Sequence, residues 1–156
     1  KSINIPVFPV GVPQKKDKNT VRSVQRIANP GKKTAHWVAQ SYPLWLSKIF
    51  SSIISAEKNN ALLKFKFLGI CLLQLEYIES RSDNNRQLFY ITGGFLTKRT
   101  NRGWLEFRSI LDGEYIITAI HEFVPRLPWF VYKFTQAKAH LLVMKKFEKH
   151  LSTLKK

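Results

Sequence analysis

The sequence predicts an α+β fold, a curved antiparallel sheet of about six strands packed on a long C-terminal helix. Three observations carry this reading. Leu63, Phe65 and Phe67 alternate with Lys64 and Lys66, and Leu73, Leu75 and Tyr77 alternate with Gln74 and Glu76. That period of two belongs to strands with one face in water. Asp112-Gly113 separates two apolar runs, 103–111 and 114–123, and Asp-Gly in that setting signals a tight hairpin. After Val124-Pro125-Arg126-Leu127-Pro128 the period becomes helical and persists to about Leu151.

The totals bound the rest. A chain of 156 residues is expected to form one domain. Apolar residues make up 44%, with 11 Phe, 5 Tyr and 4 Trp, which supplies a core and excludes a disordered chain. Lys and Arg number 26 against 10 Asp and Glu, a net charge of +16. Such a chain is drawn to polyanions, either nucleic acid or an anionic membrane surface, although the same charge also serves solubility. One cysteine, Cys71, excludes an internal disulfide. It sits in the apolar run 68–75 and reads as a small buried hydrophobe. A lone thiol fits a reducing compartment, and the expected location is cytoplasmic. The most apolar stretch, 35–56, contains His36, Gln40, Pro43 and Lys48, so no transmembrane segment is expected.

Taken in order, residues 1–13 carry three prolines and no secretory-signal pattern. They allow at most an edge strand or an extended arm. Residues 14–34 hold Lys15, Lys16, Lys18, Arg22, Arg26, Lys32 and Lys33 against Asp17 alone. Residues 1–34 therefore read as a proline-rich, basic N-terminal arm, and 35–156 as a single α+β domain. Within the arm, Val21, Val24 and Ile27 suit one side of a short helix over 20–28, and Asn29-Pro30-Gly31 marks a turn. A helix is expected from Ser41, with Pro43 in its first turn. Its apolar face would carry Trp45, Ile49 and Ile53, widened by Leu44, Leu46, Phe50 and Ile54, and it would end over 57–60. Leu68-Gly69 reads as a bend or bulge between strands. Residues 80–86 form an exposed loop, 87–92 a strand, Gly93-Gly94 a kink and 97–103 a basic turn. The last helix presents Phe130, Phe134, Ala137, Leu141, Met144 and Leu151 as a stripe, with lysines opposite.

Motifs that would carry catalysis do not emerge. There is no glycine-rich phosphate loop, no His pair at metal-ligand spacing and no Gly-x-Ser-x-Gly elbow. No metal, cofactor or catalytic residue is expected; a non-enzymatic role is favoured, and an enzyme would need a carboxylate or His pointing into a pocket. Glu106 and Glu122 could meet across the hairpin or pair with Arg108, and an exposed cross-strand ion pair is expected. Lys64-Phe65-Lys66-Phe67, Lys98, Arg99, Arg102, Trp104 and Arg108 interleave cations with aromatics, the pattern by which sheets bind single strands. The same alternation also reads as Phe inward and Lys outward.

Certain segments carry a family likeness. These are Thr92-Gly93-Gly94-Phe95-Leu96, residues 103–108, Ile120-His121-Glu122-Phe123-Val124-Pro125, residues 127–132, and the run from Gln136 to Leu151. In this order, over roughly 36–153, the chain resembles the START-like, birch-pollen-allergen helix-grip superfamily, also called SRPBCC. The resemblance implies a curved sheet gripping the last helix around a cavity for an apolar ligand or lipid. It also implies a first strand ahead of the helices, where residues 3–12 are proline-rich. Some members of that superfamily are cyclases or hydrolases, and many are not catalysts. The expected pocket residues are Leu105, Phe107, Tyr115, Ile117, Phe130, Phe134, His140 and Leu141, with Tyr115 or His140 orienting the ligand. The alternative is a basic module for nucleic acid or for an acidic protein or membrane surface. It would use Lys15, Lys16, Lys18, Arg22, Arg26, Lys32 and Lys33.

Overall fold

Register sorts the sheet residues onto two faces, and the helices among the described residues cover one of them. The computed structural model describes residues 14–16, 20–50, 54–98, 103–126 and 136–154. Its elements are β1 (Gln14–Lys16), β2 (Thr20–Ala28), α1 (Ala35–Ile49), β3 (Ile54–Asn59), β4 (Leu62–Phe67), β5 (Ile70–Tyr77), a 3-10 turn (Glu79–Arg81), β6 (Arg86–Gly93), β7 (Trp104–Ile110), β8 (Tyr115–Phe123) and α2 (Gln136–Thr153). All pairings are antiparallel, in the order β1-β2-β8-β7-β6-β5-β4-β3. The protein is thus α+β, an antiparallel sheet with a C-terminal helix. Seven strands run six to nine residues, and the three-residue β1 lies at the edge. The expectation of about six strands is short of the eight described, because β1, β2 and β3 were read as arm, helix and helix end.

Residues 20–28 are a strand and not a helix. Burial alternates along it, with Ser23, Gln25 and Ile27 buried and Arg26 exposed. Two of the inward residues are polar, which masks the period of two. The strand pairs with β8 from Val21↔Phe123 to Ala28↔Tyr115, so this part of the expected arm belongs to the sheet. Asn29 then ties the turn down. Its Nδ2 donates to the Lys33 and Gly113 carbonyls at 2.8 Å each, and its Oδ1 accepts from the Lys33 N–H at 3.1 Å. Residues 1–13 lie outside the described residues.

Helix α1 starts earlier than expected. Thr34 Oγ1 accepts from the Trp37 N–H at 3.0 Å, an N-cap that satisfies one orphan donor. Pro43 therefore sits inside the helix, not in its first turn. The buried face is Ala35, Val38, Ala39, Tyr42, Trp45 and Leu46, while Leu44 and Ile49 of the expected face are exposed. Ile53 lies outside the described residues. The segment expected to finish this helix is β3, which pairs with β4 from Ile54↔Phe67 to Asn59↔Leu62.

Leu68-Gly69 is a two-residue hairpin turn with φ of 48° and 82°. The 103–123 hairpin closes through four residues, since Ile110 pairs with Tyr115. Leu111, Asp112 and Gly113 all have positive φ there, so Asp112-Gly113 marks the turn without being the whole of it. Cys71, expected in the core, is half-buried.

The core lies between the helices and the inner face of the sheet. Ile27, Leu63, Phe65, Leu75, Phe89, Ile91, Leu105, Phe107 and Ile116 meet the α1 face and Met144, Phe147 and Leu151 of α2. The α2 stripe is rotated from expectation, with Phe147 at its centre. The Tyr42 ring lies 5.1 Å from Phe147 and 5.9 Å from Phe107, joining both helices to the sheet. Burying each such aliphatic or aromatic chain contributes about 1.5–3 kcal/mol. Burial also pushes the Tyr42 phenol upward, holding it neutral. Among the described residues no helix is long and apolar enough to cross a membrane.

An apolar cleft under the first helix

The register separates the residues expected to share one pocket. Leu105 pairs with Ile120 and Phe107 with Thr118, which puts these four on the inner face. Tyr115 pairs with Ile110 and Ile117 with Arg108, which puts both on the outer face, away from the helices. Leu105 and Phe107 are buried core residues, and the Phe107 ring lies 6.4 Å from Phe89. His140 and Leu141 lie half-buried on α2. His140 Nδ1 is 3.2 Å from Gln25 Nε2, and burial pushes the imidazole down to about 4. The ring is therefore neutral, with Nδ1 accepting from the amide. Phe130 and Phe134 lie outside the described residues. A one-residue change of register inverts a side chain's face, which is why the sequence alone did not separate this set.

A cleft of about 360 Å³ opens elsewhere, between α1 and the β3–β6 half of the sheet. That volume falls within the range of small-molecule sites. From α1 it takes His36, Ala39, Gln40, Pro43 and Leu44, and from β3 Ala56 and Lys58. Asn60 and Ala61 of the next turn, Leu62 and Leu63 of β4, Tyr77 of β5 and Phe89 of β6 complete it. Three alanines, 39, 56 and 61, face this space, where larger side chains would have filled it. Pro43 has no backbone N–H to offer, so that wall of the helix is apolar as well. Leu44 stands 73% exposed at the rim. Lys58 Nζ donates to Gln40 Oε1 at 2.5 Å across the same rim. Among the described residues the lining contains Lys58 and no carboxylate, so its electrostatics favour an anionic group beside apolar walls. None of these residues was expected to line a site. The available signal was the small residues Ala39, Ala56 and Ala61 in otherwise bulky apolar segments.

The outer face is polar and aromatic. Glu106, expected at the surface, has a side chain only 9% exposed, accepting from Arg108 Nε at 2.7 Å and Arg86 Nη2 at 3.4 Å. Trp104 stacks on His121 at 5.1 Å. Desolvation, reinforced by the Arg22 charge, lowers the His121 pKa.

The residues of the expected basic arm are dispersed. Lys15 and Lys16 lie in β1, Arg22 and Arg26 in β2, and Lys18 outside the described residues. The Arg26 guanidinium lies 4.7 Å from the Tyr115 ring centroid, and Lys33 Nζ 5.2 Å from that of Trp37. Lys32 is exposed, with φ 47°, in the connection to α1. Among the described residues no group of three His, Cys, Asp or Glu is placed to hold a metal ion.

Fold and site together define an antiparallel-sheet α+β protein with an open, cation-rimmed apolar cleft. No protein-family model matches the chain. Over 130 residues, 82% of its length, it is 27% identical to the auxiliary protein GraX of Staphylococcus aureus (strain NCTC 8325 / PS 47). The chain spans 42% of that protein's length.

Proposed function

We propose that this chain is a cytoplasmic binding module that takes a small amphipathic anion, such as a medium-chain carboxylate, into the cleft under α1. The observation that carries this reading is the lining itself, apolar walls from Ala39, Pro43, Ala56 and Leu63 with Lys58 at the mouth. The apolar tail would displace water from those walls at about 25 cal/mol per Å² of buried surface. Lys58 would exchange its Gln40 partner for the carboxylate, a stronger charge-assisted bond. A helix-grip relationship is part of the proposal. It is supported by the element order: after the short edge strand β1 come strand β2, helix α1, a six-strand meander whose last strand pairs with β2, then helix α2. Calorimetric titration with dodecanoate and with dodecyltrimethylammonium tests the reading. It predicts that the carboxylate binds and the ammonium does not, and equal binding or none by either contradicts it.

One observation favours a second reading, a polyanion surface. Arg26, Ile117, Arg108 and Arg86 form one cross-strand row of the outer face. Affinity for a single-stranded oligonucleotide that falls steeply with salt would support it, and salt-independent or absent binding would contradict it.

A further inference from the structure

The β4–β5 turn has a composition that folding does not explain. Leu68 sits there with φ 48°, in a two-residue turn whose left-handed positions suit Asn, Asp or Gly. It is 68% exposed, its neighbours Phe67 and Ile70 are 40% and 59% exposed, and no described residue lies within 4 Å of the Cβ position of Gly69. An apolar side chain on an unfavourable backbone in open water opposes both stability and solubility. Asn at 68 would relieve both, so the value of leucine lies in what the tip touches.

The surroundings of the tip indicate what that is. Phe95, 50% exposed, joins it through a 2.9 Å bond from its N–H to the Cys71 carbonyl. The Arg126 guanidinium lies 5.3 Å from the Phe95 ring centroid. The Arg126 N–H bonds the Leu96 carbonyl and the Lys98 N–H bonds the Val124 carbonyl, so both exposed cations stand at this end of the sheet. Lys66 is not counted, because Glu57 engages it at 2.6 Å. A wedge of three apolar residues is too small for a stable protein interface, which needs about 800 Å² from each partner. It is the right size to enter the headgroup boundary of a bilayer, where flanking cations meet anionic lipid.

We infer that the Phe67-Leu68-Gly69-Ile70 tip, flanked by Phe95, Lys98 and Arg126, docks this chain on an anionic membrane surface. The tip lies at the opposite end of β4 from Asn60 and Ala61 of the cleft, so the inference is independent of cleft binding.

Co-sedimentation of the whole chain with vesicles tests it, using equimolar phosphatidylcholine and phosphatidylglycerol against phosphatidylcholine alone. The wild-type chain binds the anionic vesicles preferentially. The L68N/I70T and K98E/R126E variants each bind them about tenfold more weakly, and L68N/I70T melts no lower than wild type. Wild-type chain that stays in the supernatant, or L68N/I70T that sediments like wild type, overturns the inference. So does a wild-type dimer in analytical ultracentrifugation that L68N/I70T abolishes, because the tip is then an interface between copies.

Discussion

Gln25 Nε2 meets His140 Nδ1 at 3.2 Å, joining strand β2 to helix α2 across the inner face of the sheet. Burial holds this imidazole down at about 4, against an ordinary value of 6.5. Above the ordinary value, the ring is neutral in both folded and unfolded chains and its contribution is fully present. As pH falls from about 6.5 towards 4, the unfolded chain takes up the proton and the folded chain does not. Stability then declines by up to about 1.4 kcal/mol per pH unit. His121, also lowered by desolvation, acts in the same direction. Urea denaturation of wild type and His140→Gln at about pH 6.5 and about pH 4.5 isolates the His140 part. The variant is expected to lose less stability on acidification. Equal losses would mean that the ring titrates freely in the fold.

Glu106 is the hub of the outer face. Its side chain is 9% exposed, while those of Arg86 and Arg108 are 31% and 50% exposed. Glu106→Ala removes the shared acceptor from beneath two guanidinium groups and is expected to cost about 2–3 kcal/mol. Arg108→Ala removes a half-exposed partner and costs under about 1 kcal/mol. Equal effects in chemical denaturation would rule out the hub arrangement.

Two glycines with positive φ separate backbone strain from collision. At Gly94, φ is 111° and an added Cβ would stand 2.3 Å from the Leu72 carbonyl oxygen. Gly94→Ala is expected to destabilise by more than about 3 kcal/mol, since β5 backbone must move. At Gly69, φ is 82° and no described residue lies within 4 Å of an added Cβ, so Gly69→Ala costs about 1–2 kcal/mol for the left-handed backbone alone. Thermal melts of the two variants should differ clearly in midpoint, and similar midpoints would contradict the close approach at Gly94.

The strands that were legible in the sequence share one property, an apolar inward set against a polar outward one. Leu63 and Phe65 against Lys64 and Lys66 is the plainest case. Strand β2 mixes that chemistry, with Ser23 and Gln25 inward beside Ile27 and Val24 outward beside Arg26, and Gln25 serves His140. Strand β3 lies at the edge, and four of its six residues are exposed, so little apolar patterning constrains it. The opening of α1 is small and apolar, Ala35, Val38 and Ala39, and lacks the bulky stripe that marks a helix. The cleft was illegible for a related reason. It consists of volume that Ala39, Ala56 and Ala61 leave unfilled, and missing volume leaves no motif. The aromatic residues that did attract attention, such as Phe107, are used to fill the core.

The central claim is that the cleft under α1 receives an amphipathic anion, and calorimetric titration of dodecanoate into wild type and Ala61→Trp tests it most directly. Ala61 is exposed in the β3–β4 turn and lines the cleft mouth, so an indole there blocks entry with little demand on the core. Saturable one-site binding by wild type, weakened at least about tenfold in a folded Ala61→Trp chain, is the predicted result. Equal affinity in both proteins, or no binding by wild type, would contradict it.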